Sequence, residues 1–263
     1  MDITHSPVSL PTFLKLAAHE IRWHLLSVLA YSDYRVQELV QMIGQPPNLV
    51  SYHLRQLRDQ HVVTERRSTA DERAIYYSLD LETVSTLYQA AGEALHPALR
   101  LFPDGLSLPD VSSLASRQRV LFLCTENSAR SQMAEALLRH LSRGGLEVFS
   151  AGSAPTQVHP FALQVLEASG IDTTGLHAKH FDTFADQPFD RVITVCDRVR
   201  ETCPTFPGDP ERIHWSFADP AQDAGSVEHQ YRAFEQTSLQ LTTRLRFLMI
   251  HLEREMSTNR MHE

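Results

Sequence analysis

Two domains of different class are predicted for this 263-residue chain: a mainly α domain over residues 1–102 and a three-layer α/β domain with a parallel sheet over 117–263. Three observations carry this. Helical periodicity dominates the first hundred residues, with only one pair of short strand-like runs. Pro103, Gly105 and Pro109 then break the pattern, which marks residues 103–116 as a linker. Beyond it, apolar strand-like runs alternate with helical segments, the signature of a layered α/β sheet. A chain of this length ordinarily holds two domains.

Composition narrows the class further. Apolar residues make up 42%, enough for two soluble cores. A net charge of −8 argues against indiscriminate nucleic-acid binding. No run of about 18 apolar residues suggests a membrane span, and Met1 to Thr12 lacks the order of a signal peptide. A cytoplasmic protein without membrane contact is therefore expected. The only cysteines are Cys124, Cys196 and Cys203, an odd count confined to the second domain, which excludes a disulfide scaffold.

In the first domain, Ala17 to Ala30 has the apolar spacing of one amphipathic helix, with Ile21, Leu25, Leu26, Val28 and Leu29 inward. Val36 to Ile43 forms a second helix, ended by Gly44 and by Pro46-Pro47. A third runs from about Pro47 to Gln60 on the stripe Leu49, Val50, Leu54 and Leu57. Two short helices at a tight turn, the second showing polar groups outward, match a helix-turn-helix. Val62–Arg67 and Ala74–Leu79 follow as a hairpin wing, then Leu81–Leu101 as a further helix. Base reading would fall to Asn48, Ser51, Tyr52 and Arg55, and phosphate contact to Arg55, Arg58, Arg66, Arg67 and Arg73. Residues 1–110 hold 9 basic and 13 acidic groups, so binding should be modest and salt-sensitive.

Residues Leu14 to Leu79 resemble the ArsR/SmtB family of winged-helix repressors. Ala18-His19-Glu20-Ile21-Arg22, Ser51-Tyr52-His53-Leu54-Arg55-Gln56-Leu57 and Ile75-Tyr76-Tyr77 carry the likeness. The resemblance implies a homodimer, built from the first and last helices, on palindromic operator DNA. Many family members sense metal through cysteines on the helix before the recognition helix. Here Val36–Ile43 has none, and the domain's histidines show no ligand spacing, so no metal site is expected.

The second domain should run as strand Val120–Leu123, helix Ser131–Leu141, strand Val148–Ser150, helix Pro160–Ser169, strands Arg191–Val195 and Arg212–Trp215, and a closing helix Val227–Arg254. Its chemistry centres on Cys124, at the end of the first strand. The loop Thr125, Glu126, Asn127, Ser128 and Ala129 leads to Arg130 and Ser131 at a helix start. Backbone N–H groups of such a loop ring an anion, and the helix dipole adds positive potential. Arg130 offers a planar fork to two oxyanion oxygens. The same field should lower the Cys124 thiol's pKa, with the Ser131 hydroxyl donating to the thiolate. Asn127 should brace the loop through its amide, and Glu126 beside an anion site is unfavourable unless it faces solvent.

Cys124-Thr125-x-Asn127-Ser128-x-Arg130-Ser131-Gln132-Met133-Ala134-Glu135 resembles the low-molecular-weight protein tyrosine phosphatase fold, and more closely its arsenate reductase branch. Cys196 in Val195-Cys196-Asp197 and Cys203 in Thr202-Cys203-Pro204 match the two further thiols of the thioredoxin-coupled reductases. The resemblance implies reduction of arsenate to arsenite with no tightly bound cofactor and thioredoxin or a similar dithiol as electron donor. Cys124 attacks arsenate, Cys196 attacks Cys124, and Cys203 attacks Cys196, after rearrangement of a polar loop over Asp197–Thr202. Asp219 in Asp219-Pro220 matches the family's general acid, with Asp223 a nearby competitor. Asn127, Glu135 and Ser150 match positions that hold a monovalent cation in some reductases, with Lys179 where an acidic ligand would stand. Its ammonium is expected to replace the cation and brace Glu135.

Two alternatives remain at this stage. One is an arsenic- or redox-sensing regulator without turnover, which would need neither Arg130 nor Asp219. The other is a low-molecular-weight tyrosine phosphatase, which would need neither Cys196 nor Cys203. Because the first domain is free of cysteine, any thiol-based arsenic sensing must run through the second.

Overall fold

The computed structural model describes residues 10–96, 118–222 and 225–260, which form two compact units. The linker expected at 103–116, the end of the helix expected over Leu81–Leu101, and Asp223 lie outside the described residues. None of the described helices is long and apolar enough to cross a membrane.

The first unit contains α1 (Thr12–Ala17), α2 (Glu20–Leu29), β1 (Tyr34–Arg35), α3 (Val36–Ile43), α4 (Pro47–Asp59), the start of β2 (Val63–Arg67), β3 (Ile75–Leu79) and α5 (Leu81–Leu95), while Arg66–Ala74 count with the second. The helix expected over Ala17–Ala30 is present as α2 and begins three residues later, at Glu20. His19 leaves helical geometry (φ −125°, ψ 125°), and its ring nitrogen accepts the Ile21 N–H at 3.3 Å, capping α2. Histidine is not among the usual capping residues, so the sequence did not mark this start. Between α3 and α4, Gly44 adopts φ +67° and donates its N–H to Val40 O at 3.0 Å. This left-handed cap ends α3, and Pro46 and Pro47 start α4 where the missing N–H costs nothing. The three strands pair in the order β1-β3-β2. Leu25, Leu29, Leu39, Val50, Leu54 and Leu57 fill the core. His53 is a core residue too, its ring 4.3 Å from that of His19. Burial first, then His19 and Arg22, push its pKa below the ordinary imidazole value.

The second unit contains β4 (Arg119–Cys124), α6 (Arg130–Leu141), β5 (Glu147–Gly152), α7 (Pro160–Ala168), β6 (Arg191–Thr194), α8 (Asp197–Glu201), β7 (Glu211–His214) and α9 (Val227–Arg260). Its strands are all parallel, in the order β5-β4-β6-β7. Side chains of a strand alternate between faces, yet Val120, Leu121, Phe122 and Leu123 are all 0% exposed. Both faces of the sheet are therefore covered, which makes three layers. The order reverses at β4: β5 lies on one side and β6 on the other. The crevice at the carboxyl end of β4 is thus the topological switch point where ligands of such sheets sit. Phe234, Leu241, Leu245, Leu248, Met249 and Leu252 give α9 a buried helical stripe, which packs on α6 and α7.

One element departs from expectation. The polar loop foreseen over Asp197–Thr202 begins with α8, a helical turn whose Val199 is fully buried. Asp197 lies in its first turn and Arg198 and Arg200 in its last, which suits the helix dipole. Five residues are too few to display a period, so the sequence read as loop.

Gly152 ends β5 directly beneath the loop that follows β4. A Cβ there would stand 2.5 Å from Thr125 O and 2.8 Å from Asn127 N. Gly152→Ala should therefore destabilise the second unit by about 1–3 kcal/mol through overpacking, read as a lower denaturant midpoint. An unchanged midpoint would show that the loop yields freely.

Candidate active site

Cys124 is the last residue of β4 and is 2% exposed. The loop turns back at Asn127, whose φ of +49° places it in the left-handed region that asparagine tolerates. The carbonyls of Thr125, Glu126 and Ser128 accept the N–H groups of Ala154, Thr156 and His159 at 2.8–3.0 Å. With its carbonyls held outward, the loop keeps its own N–H groups for the enclosed side. Asn127 N donates to Cys124 Sγ at 3.1 Å.

Asn127 is also the hub of a buried polar chain. Its Nδ2 donates to Ser131 Oγ at 2.9 Å and to Ser150 Oγ at 2.8 Å, while its Oδ1 accepts from Gln132 Nε2 at 2.9 Å and Lys179 N at 2.8 Å. Ser131 Oγ lies 2.8 Å from Cys124 Sγ. Because an amide N–H already occupies that oxygen as acceptor, the Ser131 proton is available to the sulfur. Ser150 donates to Glu135 Oε2 at 2.5 Å, and Lys179 Nζ stands 3.4 Å from the same oxygen. Arg139 takes the other oxygen of Glu135. The ammonium of Lys179 thus braces a nearly buried carboxylate.

Burial pushes the Cys124 thiol up, and Cys196 beside it does the same, while Arg130 and the Ser131 hydroxyl and N–H pull it down. The expectation of a thiol lowered by the loop's field thus meets opposition from desolvation, and burial dominates. Arg130 is 7% exposed. Its Nη1 donates to Phe217 O at 3.1 Å and its Nη2 to Asp219 Oδ2 at 2.7 Å. Its Nε is buried with no protein acceptor among the described residues. Glu126 is exposed at the rim of the pocket that Cys124 and Arg130 line.

Cys196 follows β6, the neighbour of β4, and is also 2% exposed. Its Sγ lies 3.4 Å from Thr125 Oγ1. Cys124, Thr125, Ser128, Arg130, Cys196 and Asp219 line one pocket. Cys203, half-buried, lies beyond the far end of α8, and all three thiols are free. Burial pushes the Cys203 thiol up against a smaller pull from Arg212.

Sequence reasoning found no partner for His214, but its Nε2 stands 3.2 Å from Asp197 Oδ1, both groups buried. Burial pushes that carboxyl up, and hydrogen bonds, that of His214 foremost, more than reverse it and hold it well below the carboxylate range. Gln132 and Gly152 were also missed. A Gln on the core side of an apolar helix turn, and a Gly closing a strand, were the available signals.

On α4 of the first unit, Asn48, Ser51, Tyr52 and Arg55 are all exposed. Their spacing of 3, 4 and 7 residues puts them on one stripe. Arg67 is exposed at the end of β2. Arg58 forms a surface ion pair with Glu65 at 2.6 Å.

Comparison with known proteins agrees with both halves. Residues 119–258 match the family described as low molecular weight phosphotyrosine protein phosphatase, and residues 19–65 match the arsR family of bacterial regulatory proteins. An arsenate reductase of Halalkalibacterium halodurans is 33% identical over 131 residues, which are 50% of this chain and 94% of that protein. One from Bacillus subtilis is 32% identical over 127 residues, 48% of this chain and 91% of that protein. Among solved structures, the thioredoxin-dependent arsenate reductase of Corynebacterium glutamicum is 21% identical, with a TM-score of 0.40, over 89% of this chain and 98% of its own. The chain belongs to the low molecular weight phosphotyrosine protein phosphatase family, as a relative of its arsenate reductases, with an arsR-family helix-turn-helix ahead of that domain.

Proposed function

We propose that the second unit reduces arsenate to arsenite by a three-cysteine relay, with thioredoxin or a similar dithiol as final reductant, and that the first binds operator DNA as a homodimer. The observation that carries the enzymatic reading is the shared pocket of Cys124, Arg130 and Cys196. A phosphatase needs the first two, and the second thiol has no role in phosphoryl transfer. A sensor without turnover leaves the Arg130–Asp219 pair unexplained.

The anion would sit in the loop with an oxygen on the buried Arg130 Nε. By competing for the guanidinium it releases Asp219 from Nη2, and the freed carboxylate takes the proton that the Cys124 thiol gives up and passes it to the departing oxygen. Cys124 thiolate displaces that oxygen as water and forms a sulfur–arsenic bond. Cys196 thiolate then attacks Cys124 Sγ. The sulfur–arsenic bond breaks with its electron pair on arsenic, releasing arsenite and leaving a Cys124–Cys196 disulfide. Cys203 attacks Cys196 Sγ, frees Cys124 as thiolate, and leaves Cys196–Cys203 for the external dithiol.

That last step requires α8 to open. Cys203 is seven positions after Cys196, a rise of roughly 10 Å if helical throughout, and α8 holds Asp197–Glu201 of that stretch in helical form, whereas a disulfide needs Cα atoms about 4.4–6.8 Å apart. Oxidation of the Cys124→Ser variant to the Cys196–Cys203 disulfide should therefore raise amide exchange across residues 197–202. Unchanged protection would exclude the rearrangement.

The relay itself is tested by arsenate turnover with thioredoxin recycling for each single Cys→Ser variant. All three should lose turnover, and Cys196→Ser and Cys203→Ser should retain any hydrolysis of an aryl phosphate. Loss for Cys124→Ser alone would reject the relay.

Lys179 also gives a measurable consequence. With its ammonium against Glu135, potassium should leave wild-type turnover unchanged, whereas Lys179→Asp should make turnover potassium-dependent. Strong acceleration of the wild type by potassium would overturn the assignment.

A further inference from the structure

The first unit contains a hydrogen-bond chain whose direction is fixed by chemistry. Arg22 on α2 donates from Nε to Leu16 O at 2.6 Å and from Nη2 to Lys15 O at 2.8 Å, holding two carbonyls of the last turn of α1. Its Nη1 donates to Gln56 Oε1 at 2.8 Å. Gln56 Nε2 in turn lies 2.8 Å from Tyr52 Oη. A guanidinium has donors only, so the Gln56 atom facing it must be the amide oxygen, which turns the amide nitrogen to Tyr52. Tyr52 Oη is thereby the acceptor of that bond. Its own proton remains, with no protein acceptor among the described residues. Tyr52 is 54% exposed on the stripe of α4 that also carries Asn48, Ser51 and Arg55.

We propose that Tyr52 meets DNA as a hydrogen-bond donor to an acceptor on a base edge, and that Arg22 and Gln56 are the positioning residues that give it this polarity. The proposal rests on the DNA-binding reading of the first unit and specifies its chemistry. A phenol that could both donate and accept would discriminate poorly in the major groove. A phenol whose acceptor side is occupied selects positions presenting purine N7, guanine O6 or thymine O4 over those presenting the amino groups of adenine or cytosine. The second function of Arg22, tying the end of α1, makes the orientation of Tyr52 part of the packing of α1 on α2.

The experiment selects duplexes from a randomised pool with the full-length wild-type chain, then measures affinity of variants for the selected site and its single-base-pair changes. Tyr52→Phe removes the donor and should flatten preference at one base pair by roughly threefold to tenfold, the worth of one neutral hydrogen bond. Gln56→Glu replaces the amide by an acceptor. Tyr52 then turns its proton to the carboxylate, so preference at the same base pair is lost, and the double variant loses no more. The ratio of affinities is the readout, because the added negative charge of Gln56→Glu weakens all sequences alike. Gln56→Met frees the phenol to accept as well as donate and should broaden the same position. Replacing a purine there by its 7-deaza analogue, where the selected contact is N7, should reproduce Tyr52→Phe.

Unaltered preference in Tyr52→Phe or Gln56→Glu would overturn the proposal. So would a uniform loss over all sequences in Tyr52→Phe, which would assign the phenol to a phosphate. If the wild type selects no sequence, the DNA-binding reading fails first, and that outcome is distinct from the other two.

Discussion

The active-site loop depends on the side chain of one left-handed asparagine. Asn127 alone touches Ser131, Ser150, Gln132 and the backbone of Lys179, while its N–H reaches the Cys124 sulfur. Every hydrogen-bonding atom of its amide is used in a place with no exposure to water. A buried polar group left half satisfied costs about 1–3 kcal/mol, so the partners are mutually enforcing. The chain continues through Ser150 to Glu135 and ends on the Lys179 ammonium. The position of Cys124 is therefore set by a line of residues from two strands, one helix and a loop, rather than by the loop's own stiffness.

A second constraint works at the mouth of the pocket. Arg130 is committed at both terminal nitrogens, to Phe217 O and to Asp219. An oxyanion entering beside Cys124 must bargain with Asp219 for the same guanidinium. In the proposed reaction this exchange couples binding to acid catalysis, since the carboxyl that loses Arg130 is the one that must face the departing oxygen. The burial that pushes the Cys124 thiol up is countered by that same guanidinium and by Ser131. The ionisation of Cys124 and the placement of Asp219 thus share one cationic side chain.

Much of this was legible from residue types, because strand, loop and helix N-terminus follow one another within a short span. The run Val120–Leu123 announced a parallel strand, and Asn127 announced a brace. Elements without a period were not legible. The cap, His19, precedes the apolar stripe and is not a usual capping residue, and α8 is a single turn whose one buried apolar residue is Val199. Long-range pairs were harder still. Nothing in the order of residues joins Arg130 to Phe217 O, or His214 to Asp197, since those contacts come from strands brought together by the sheet. Lys179 and Glu135 were paired in advance only through the resemblance to reductases that hold a cation at that place.

The burial of Cys196 at the head of α8 bears on how an external reductant tells one form of the protein from another. In the dithiol form Cys124 and Cys196 are each 2% exposed, and only Cys203 is partly open to solvent. A visiting dithiol-disulfide protein would find almost no sulfur to engage. In the proposed relay the oxidised form must unwind α8, which brings the Cys196–Cys203 bond out on an opened segment. Recognition is then by conformation rather than by affinity for a fixed patch: the visitor docks when there is a bond to break and is dismissed when the turn winds up again.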